Sequence, residues 1–402
     1  MGKIIKISTR RNLFYLLQVI FHYYSRKVVL IIITQMFEFS GSLIFTILML
    51  LGEFFAGLTI HLYQIFFFEK KENKKTKYFG IELIQKEKKI NRPDSRLKIG
   101  LLIFFTASFD FIEFVIDSYY IPKYWQLSKT ITPRFGGVII IFSSLLCYFN
   151  LRLKISKHQF YSLLIIGICS IIIIIFEIIY RGKETTIASL VFPYFLIFIN
   201  LILVTFTDVV EKYLLEYDFM SPFITLMVES IFGLILASFY TISENPFNDM
   251  KKLYESSDGG KYVLLIFLLF LYLAFSAGAN VYKLLSNVLY SPMAKSLAGY
   301  ILNPFVFIYY FINEDDFASN GEKNYFHFFI NIFLAITISF FGCVYNEFLV
   351  LSCCGLEYDT YAEISMRAKS TIIHDINKEI NDDDNNSVFE DYQLHFLKDI
   401  DD

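Results

Sequence analysis

The chain has 402 residues, 55% of them hydrophobic and only 19% charged, with a formal net charge of −3. Soluble domains carry about 25% charged residues and disordered chains lack apolar ones, so this composition excludes both readings for most of the chain. Apolar residues fall in runs of about 20, the length a helix needs to cross a ~30 Å hydrocarbon core, whereas soluble strands are about 4–8 long.

Residues 1–27 read as a cytosolic N-terminal segment. Within it, 12–24 is apolar but short for a span and is bounded by Arg10-Arg11 and Arg26-Lys27, so it is expected to lie at the membrane interface. Apolar runs follow at 28–45, 46–68, 99–117, 131–150, 159–180, 186–209, 221–241, 262–285, 290–312 and 326–350. The first two are continuous, and as one helix they would extend about 60 Å, twice the core. A turn after Ser40-Gly41-Ser42 is therefore expected, and without it the count falls to nine. The reading is an all-α membrane protein of about ten transmembrane helices.

Basic residues set the orientation. Segment 69–98 holds 11 Lys or Arg against five acids, and 151–158 adds Arg152, Lys154 and Lys157. The loop after 312 begins Asn313-Glu314-Asp315-Asp316. Both ends are expected in the cytosol. The tail, 351–402, has 13 acids and four basic residues and reads as solvated and mostly disordered.

Five helices precede the loop at 181–185 and five follow it. Two successive halves with an odd number of helices sit inverted in a membrane, the plan of many secondary transporters. The expected organisation is thus a five-plus-five inverted repeat, 28–180 and 186–350. A local echo supports it: Phe105-Thr106-Ala107-Ser108-Phe109-Asp110 in the third helix against Phe275-Ser276-Ala277-Gly278-Ala279-Asn280 in the eighth.

Ionisable side chains at membrane depth cost about 2.5–3.5 kcal/mol each on insertion scales, so they face the bundle interior. Asp110, Glu113 and Asp117 share one face of the third helix. Asp110 suits either a cavity or a structural hydrogen bond, and Asp117 suits solvation at the helix end. Arg134 follows Pro133 at the start of the fourth helix, suited to grip a carboxylate or phosphate or to reach the headgroups. Gly136-Gly137 beside it would allow close helix approach. Asn280 and Lys283 lie one turn apart in the eighth helix, Glu53 follows Gly52 in the second, and Lys295 opens the ninth as an expected interfacial anchor. Glu38, Glu177, Asp208 and Glu229 are further candidates without assigned partners. The binding set is Asp110, Glu113, Arg134, Asn280, Lys283 and Glu53, with Arg134 and Lys283 as two cationic walls of one site. No nucleophile–base pair, phosphate loop or metal-ligand spacing is present in the sequence, so no enzyme, cofactor, metal or nucleic-acid partner is expected.

The chain resembles the drug/metabolite transporter superfamily and, within it, the solute carrier 35 family of nucleotide-sugar-type transporters, nearest to the sixth-member branch of subfamily F. The resemblance rests on Met49-Leu50-Leu51-Gly52-Glu53-Phe54, Phe109-Asp110, Pro133-Arg134-Phe135-Gly136-Gly137-Val138-Ile139-Ile140, and Asp208 with Glu211-Lys212-Tyr213-Leu214-Leu215, which is similar to the family's link between helices six and seven. Gly278-Ala279-Asn280-Val281-Tyr282-Lys283 is similar to the family's Gly-Ala-Leu-Asn-Lys motif, with two extra residues between Asn and Lys. The resemblance implies alternating access around a central cavity. The expected function is transport of a small anionic or zwitterionic metabolite across an endomembrane, such as the Golgi, endoplasmic reticulum or a lysosome-like vacuole. The partners are that substrate and membrane lipids, with a homodimer left open. The other reading is a non-transporting scaffold or receptor that keeps this fold.

Overall fold

A computed structural model describes residues 5–7, 13–37, 43–67, 76–78, 81–83, 96–116, 131–152, 154–181, 187–216, 220–243, 251, 254, 259–313, 318–319, 322–352, 355–360, 363–364 and 367. The helices are α1 (Phe14–Phe37), α2 (Leu43–Phe67), α3 (Arg96–Val115), α4 (Gly136–Asn150), α5 (Lys157–Arg181), α6 (Ile187–Glu216), α7 (Pro222–Ser243), α8 (Gly259–Leu289), α9 (Pro292–Tyr300), α10 (Asn303–Asn313) and α11 (Tyr325–Tyr345). A four-residue helical turn, Ile131–Arg134, leads into α4.

Among the described residues, eight helical stretches are long and apolar enough to cross a membrane, with α9 and α10 counted as one. The protein is an all-α, multi-pass membrane protein. The shorter Gly136–Asn150 is apolar as well. α3 has spanning length, but Arg96, Lys98, Asp110 and Glu113 lower its hydropathy. The outward faces are apolar: Phe270, Phe305 and Phe333 are 64%, 67% and 68% exposed, which suits lipid rather than water.

Three boundaries differ from the sequence reading. Of the apolar stretch 12–24, residues 14–24 form the first half of α1 and not a separate interfacial segment. Arg26 and Lys27, which seemed to interrupt it, are carried within the helix: both lie over the Tyr23 ring, at 5.3 and 4.6 Å from its centroid. α1 and α2 are two helices as expected, while the turn at 40–42 lies outside the described residues. α6 runs on to Glu216, so Asp208, Glu211 and Lys212 belong to a helix and not to a link. The ninth span is broken at Ile301-Leu302, because Pro304 cannot donate a helical hydrogen bond. Asp117, most of 69–98 and the tail beyond 367 lie outside the described residues.

The most extensive packing is between α1 and α8, α2 and α7, and α5 and α11. α2 is held tightly on two sides. A Cβ added at Gly52 would stand 2.8 Å from the Leu273 carbonyl oxygen of α8, and one at Gly57 would stand 2.9 Å from that of Phe223 in α7. α3 and α8 each pack on α2, α6 and α7 but touch each other at most marginally.

At one end the strands β1 (Ile5–Ile7) and β6 (Leu349–Leu351) pair antiparallel, with Ile5 opposite Leu351. Short hairpins β2–β3 (Thr76–Tyr78 and Ile81–Leu83) and β4–β5 (Ala318–Ser319 and Glu322–Lys323) decorate two connections. The chain therefore enters α1 and leaves α11 at the same end of the bundle.

Candidate functional site

Three clusters of polar side chains lie inside the bundle. The first is closed. Lys295 opens α9, whose first turn is fixed by Ser291: its hydroxyl accepts from the Ala294 N–H at 3.1 Å, and Pro292 follows it. Lys295 is 5% exposed and donates to Asp208, and to Glu211 Oε2 at 3.1 Å. Asn287 of α8 donates to the Asp208 carbonyl oxygen at 2.9 Å and to Glu211 Oε2 at 3.2 Å. Lys212 Nζ donates to the Asn287 carbonyl oxygen at 2.8 Å. The expectation of Lys295 as a headgroup anchor is thus overturned. A lysine surrounded by helices cannot reach headgroups, and two carboxylates one turn apart on α6 compensate it there.

The second cluster holds Arg134. It is 1% exposed and donates through Nη1 to Glu177 of α5, itself 0% exposed. His327 Nε2 of α11 is 3.5 Å from the same carboxylate oxygen. The Asn303 amide donates to the Pro133 carbonyl oxygen at 3.0 Å, tying the break before α10 to the start of α4. Arg134 does not reach for headgroups. The expected close approach at Gly136 and Gly137 is also present, against the Tyr300 ring and against Ser170 with Ile338.

The third cluster spans α2, α3, α7 and α8. Glu53 is 3% exposed and accepts from the Asn280 amide, with the Ser230 hydroxyl 3.2 Å from its Oε2. Thr106 Oγ1 lies 2.8 Å from Glu229 Oε1. Asp110 and Lys283 sit one turn beyond Thr106 and Asn280, half-buried, and among the described residues neither makes a hydrogen bond. Lys283 is within electrostatic reach of Asp110, Asp208, Glu211 and Glu113, and Asp110 is also within reach of Glu53 and Glu229. The helices that carry these two heads touch each other at most marginally.

Of the six residues expected from sequence, Glu53, Asn280, Asp110, Glu113 and Lys283 join one network. Arg134 is instead paired with Glu177 in the second cluster. Sequence reasoning did not pair Glu229 or Glu177, and it missed His327. A signal for Glu229 was available. Glu53-Phe54-Phe55-Ala56-Gly57 and Glu229-Ser230-Ile231-Phe232-Gly233 share a Glu-x-x-x-Gly spacing in the second helix of each half. No group of His, Cys, Asp and Glu that could hold a metal occurs among the described residues. In comparisons with known proteins, no family model matches the chain and no curated protein matches it.

Proposed function

We propose that the chain is a secondary transporter of the drug/metabolite type that moves a small zwitterionic or anionic metabolite by alternating access. Two observations support ten spans in an inverted repeat. First, β1 and β6 pair, so both ends of the bundle core lie on one side, which requires an even number of crossings. Adding α3 and α4 to the eight apolar spans gives ten.

Second, three of the larger helix contacts have a counterpart when each helix is exchanged for the one five further on, α9 and α10 being taken as one. α1 packs on α8 as α6 does on α3. α2 packs on α8 as α7 does on α3, and α4 packs on α6 as α9 does on α1. The echo agrees, since Thr106 and Ser276 are both 0% exposed and Asp110 and Asn280 are both half-buried. Inverted repeats of this kind place substrate at the interface between the halves, near the midplane.

The observation that carries the reading is a carboxylate and an ammonium within electrostatic reach of each other inside the bundle, Asp110 from one half and Lys283 from the other, on two helices that touch at most marginally. Lys283 would take the substrate's anionic group. Asp110 and Glu113 would take its ammonium group, or balance Lys283 when the site is empty. A scaffold has no use for charged groups such as Asp110 and Lys283, which have no direct partner among the described residues, at membrane depth, where each is costly. The basic segment 69–98 supports cytosolic termini, and an endomembrane remains the proposed location.

The test is uptake into proteoliposomes, screened against amino acids, nucleotide sugars and drug-like cations. Saturable uptake of a zwitterion or anion that falls about 30-fold or more in Lys283→Ala is expected, since losing one charged contact in a dry pocket costs about 2–5 kcal/mol. Uptake of cations alone, unaffected by Lys283→Ala, would contradict the substrate reading. Absence of uptake of every class by folded protein would favour the scaffold.

A further inference from the structure

The contact between α2 and α7 holds two carboxylates in a repeated setting. Glu53 and Glu229 each stand four residues before a glycine, and the helices close on each other at those glycines. A Cβ at Gly57 would be 2.9 Å from the Phe223 carbonyl oxygen, and one at Gly233 would be 2.7 Å from Leu50 Cδ2. Each carboxylate is met by neutral donors from the other half of the chain: Glu53 by Asn280 and Ser230, and Glu229 by Thr106. No ion pair to either carboxylate occurs among the described residues.

The two hydroxyls share an uncommon property. Ser230 Oγ lies 3.2 Å from Glu53 Oε2 and 2.6 Å from the Leu226 carbonyl oxygen. Thr106 Oγ1 lies 2.8 Å from Glu229 Oε1 and 2.8 Å from the Ile103 carbonyl oxygen. Each hydroxyl has one proton and two acceptors. When the carboxylate is ionised, the hydroxyl donates to it. When the carboxyl is protonated, the hydroxyl turns to its main-chain carbonyl and accepts the carboxyl proton. Both protonation states are satisfied by rotating one C–O bond, with no helix moved. An ordinary structural carboxylate, such as Glu177 against Arg134, is satisfied in the ionised state alone.

The charged surroundings differ between the two. Glu53 faces Glu229 from α7, Asp110 from α3 and Lys283 from α8. On the α1 side the nearby cation is Arg26, which donates to Met49 Sδ at 3.5 Å, one turn before Glu53. Glu229 faces Glu53 from α2, Asp110 from α3 and Glu211 from α6, all carboxylates. Ionising both at once places like charges together in a poor dielectric, which is unfavourable.

We infer that Glu53 and Glu229 are a two-fold-related proton-binding pair at the contact between the repeats, and that the carrier is proton-coupled through them. A proton taken from water on one side forms the carboxyl O–H bond. It is given up to water on the other side after the halves have rocked, and no other bond is made or broken. This rests on the transport reading above and adds the coupling ion to it.

The experiment is an infrared pH titration of the full chain in lipid vesicles without substrate, following the carbonyl band of protonated carboxyl groups in deuterated and ordinary water. A component of that band that titrates apart from the exposed carboxyl groups is expected in the parent protein. Glu53→Gln and Glu229→Gln should each remove part of it, the double variant should remove it all, and Glu53→Asp should keep a shifted band. No titrating band in the parent, or a band unchanged in a double variant that keeps its helicity and monodispersity, overturns the proton pair. A second arm separates this from the transport reading. Uptake that is insensitive to an imposed pH gradient overturns coupling while transport stands. A titrating band in a protein that takes up nothing keeps the pair and overturns the carrier.

Discussion

The Lys295 cluster and the Glu53–Glu229 belt lie in the same bundle, and they solve opposite problems. In the first, two carboxylates on one helix face a lysine on another, and an asparagine fills the remaining acceptor. In the second, carboxylates meet neutral donors, and Lys283 is within electrostatic reach without a direct bond among the described residues. Buried charges that are directly paired lock helices together, because separating them leaves ions in a poor dielectric. Carboxylates bonded to amides and hydroxyls can change protonation state instead. The first arrangement fits a fixed joint between α6 and α9, and the second fits a moving seam between the halves.

Substitutions break this comparison in graded fashion. The largest loss of stability is expected for Lys295→Ala, which leaves Asp208 and Glu211 buried together without compensation, at about 3–5 kcal/mol. Thermal unfolding in detergent should register it, and restoring charge balance with Asp208→Asn in the same chain should recover part of the loss. Glu177→Gln comes next, at about 1–3 kcal/mol, since Arg134 keeps an amide acceptor but loses its counter-charge. Lys283→Ala should alter stability by at most about 1 kcal/mol, because no direct bond is lost, while abolishing or severely weakening uptake. A stability loss as large as that of Lys295→Ala would make Lys283 a second joint. The smallest effect is expected for Glu53→Gln, within about 1 kcal/mol, because an amide preserves the shape and one acceptor. Its signature is a flattened pH dependence of uptake.

The apolar runs were legible because each spans the thickness of a bilayer, and the split of 28–68 followed from length alone. The start of α1 was not, because Arg26 and Lys27 look like a boundary until Tyr23 is seen beneath them. Helical periodicity placed Asp110 and Glu113 on one face, and Gly136-Gly137 marked a close approach that exists. Periodicity assigns a face but names no partner. Asp208 and Lys295 are 87 residues apart, and Glu177 and His327 sit on α5 and α11, so their pairing depends on which helices become neighbours. Lys295 was misread for the same reason: a lysine that opens a helix looks interfacial until the helices around it are counted.

The contrast between an open and a closed cluster is tested most directly by thiol accessibility along α8. In a chain with its native cysteines replaced, Lys283→Cys and Ser286→Cys are compared for reaction with a small, charged, membrane-impermeant reagent. Lys283 is half-buried, while Ser286 is 0% exposed less than one turn away. The transporter account expects Lys283→Cys to react and Ser286→Cys to resist, with a transported zwitterion protecting Lys283→Cys. Equal resistance at both positions in folded protein would mean that no water-filled path reaches Lys283, and would contradict the account.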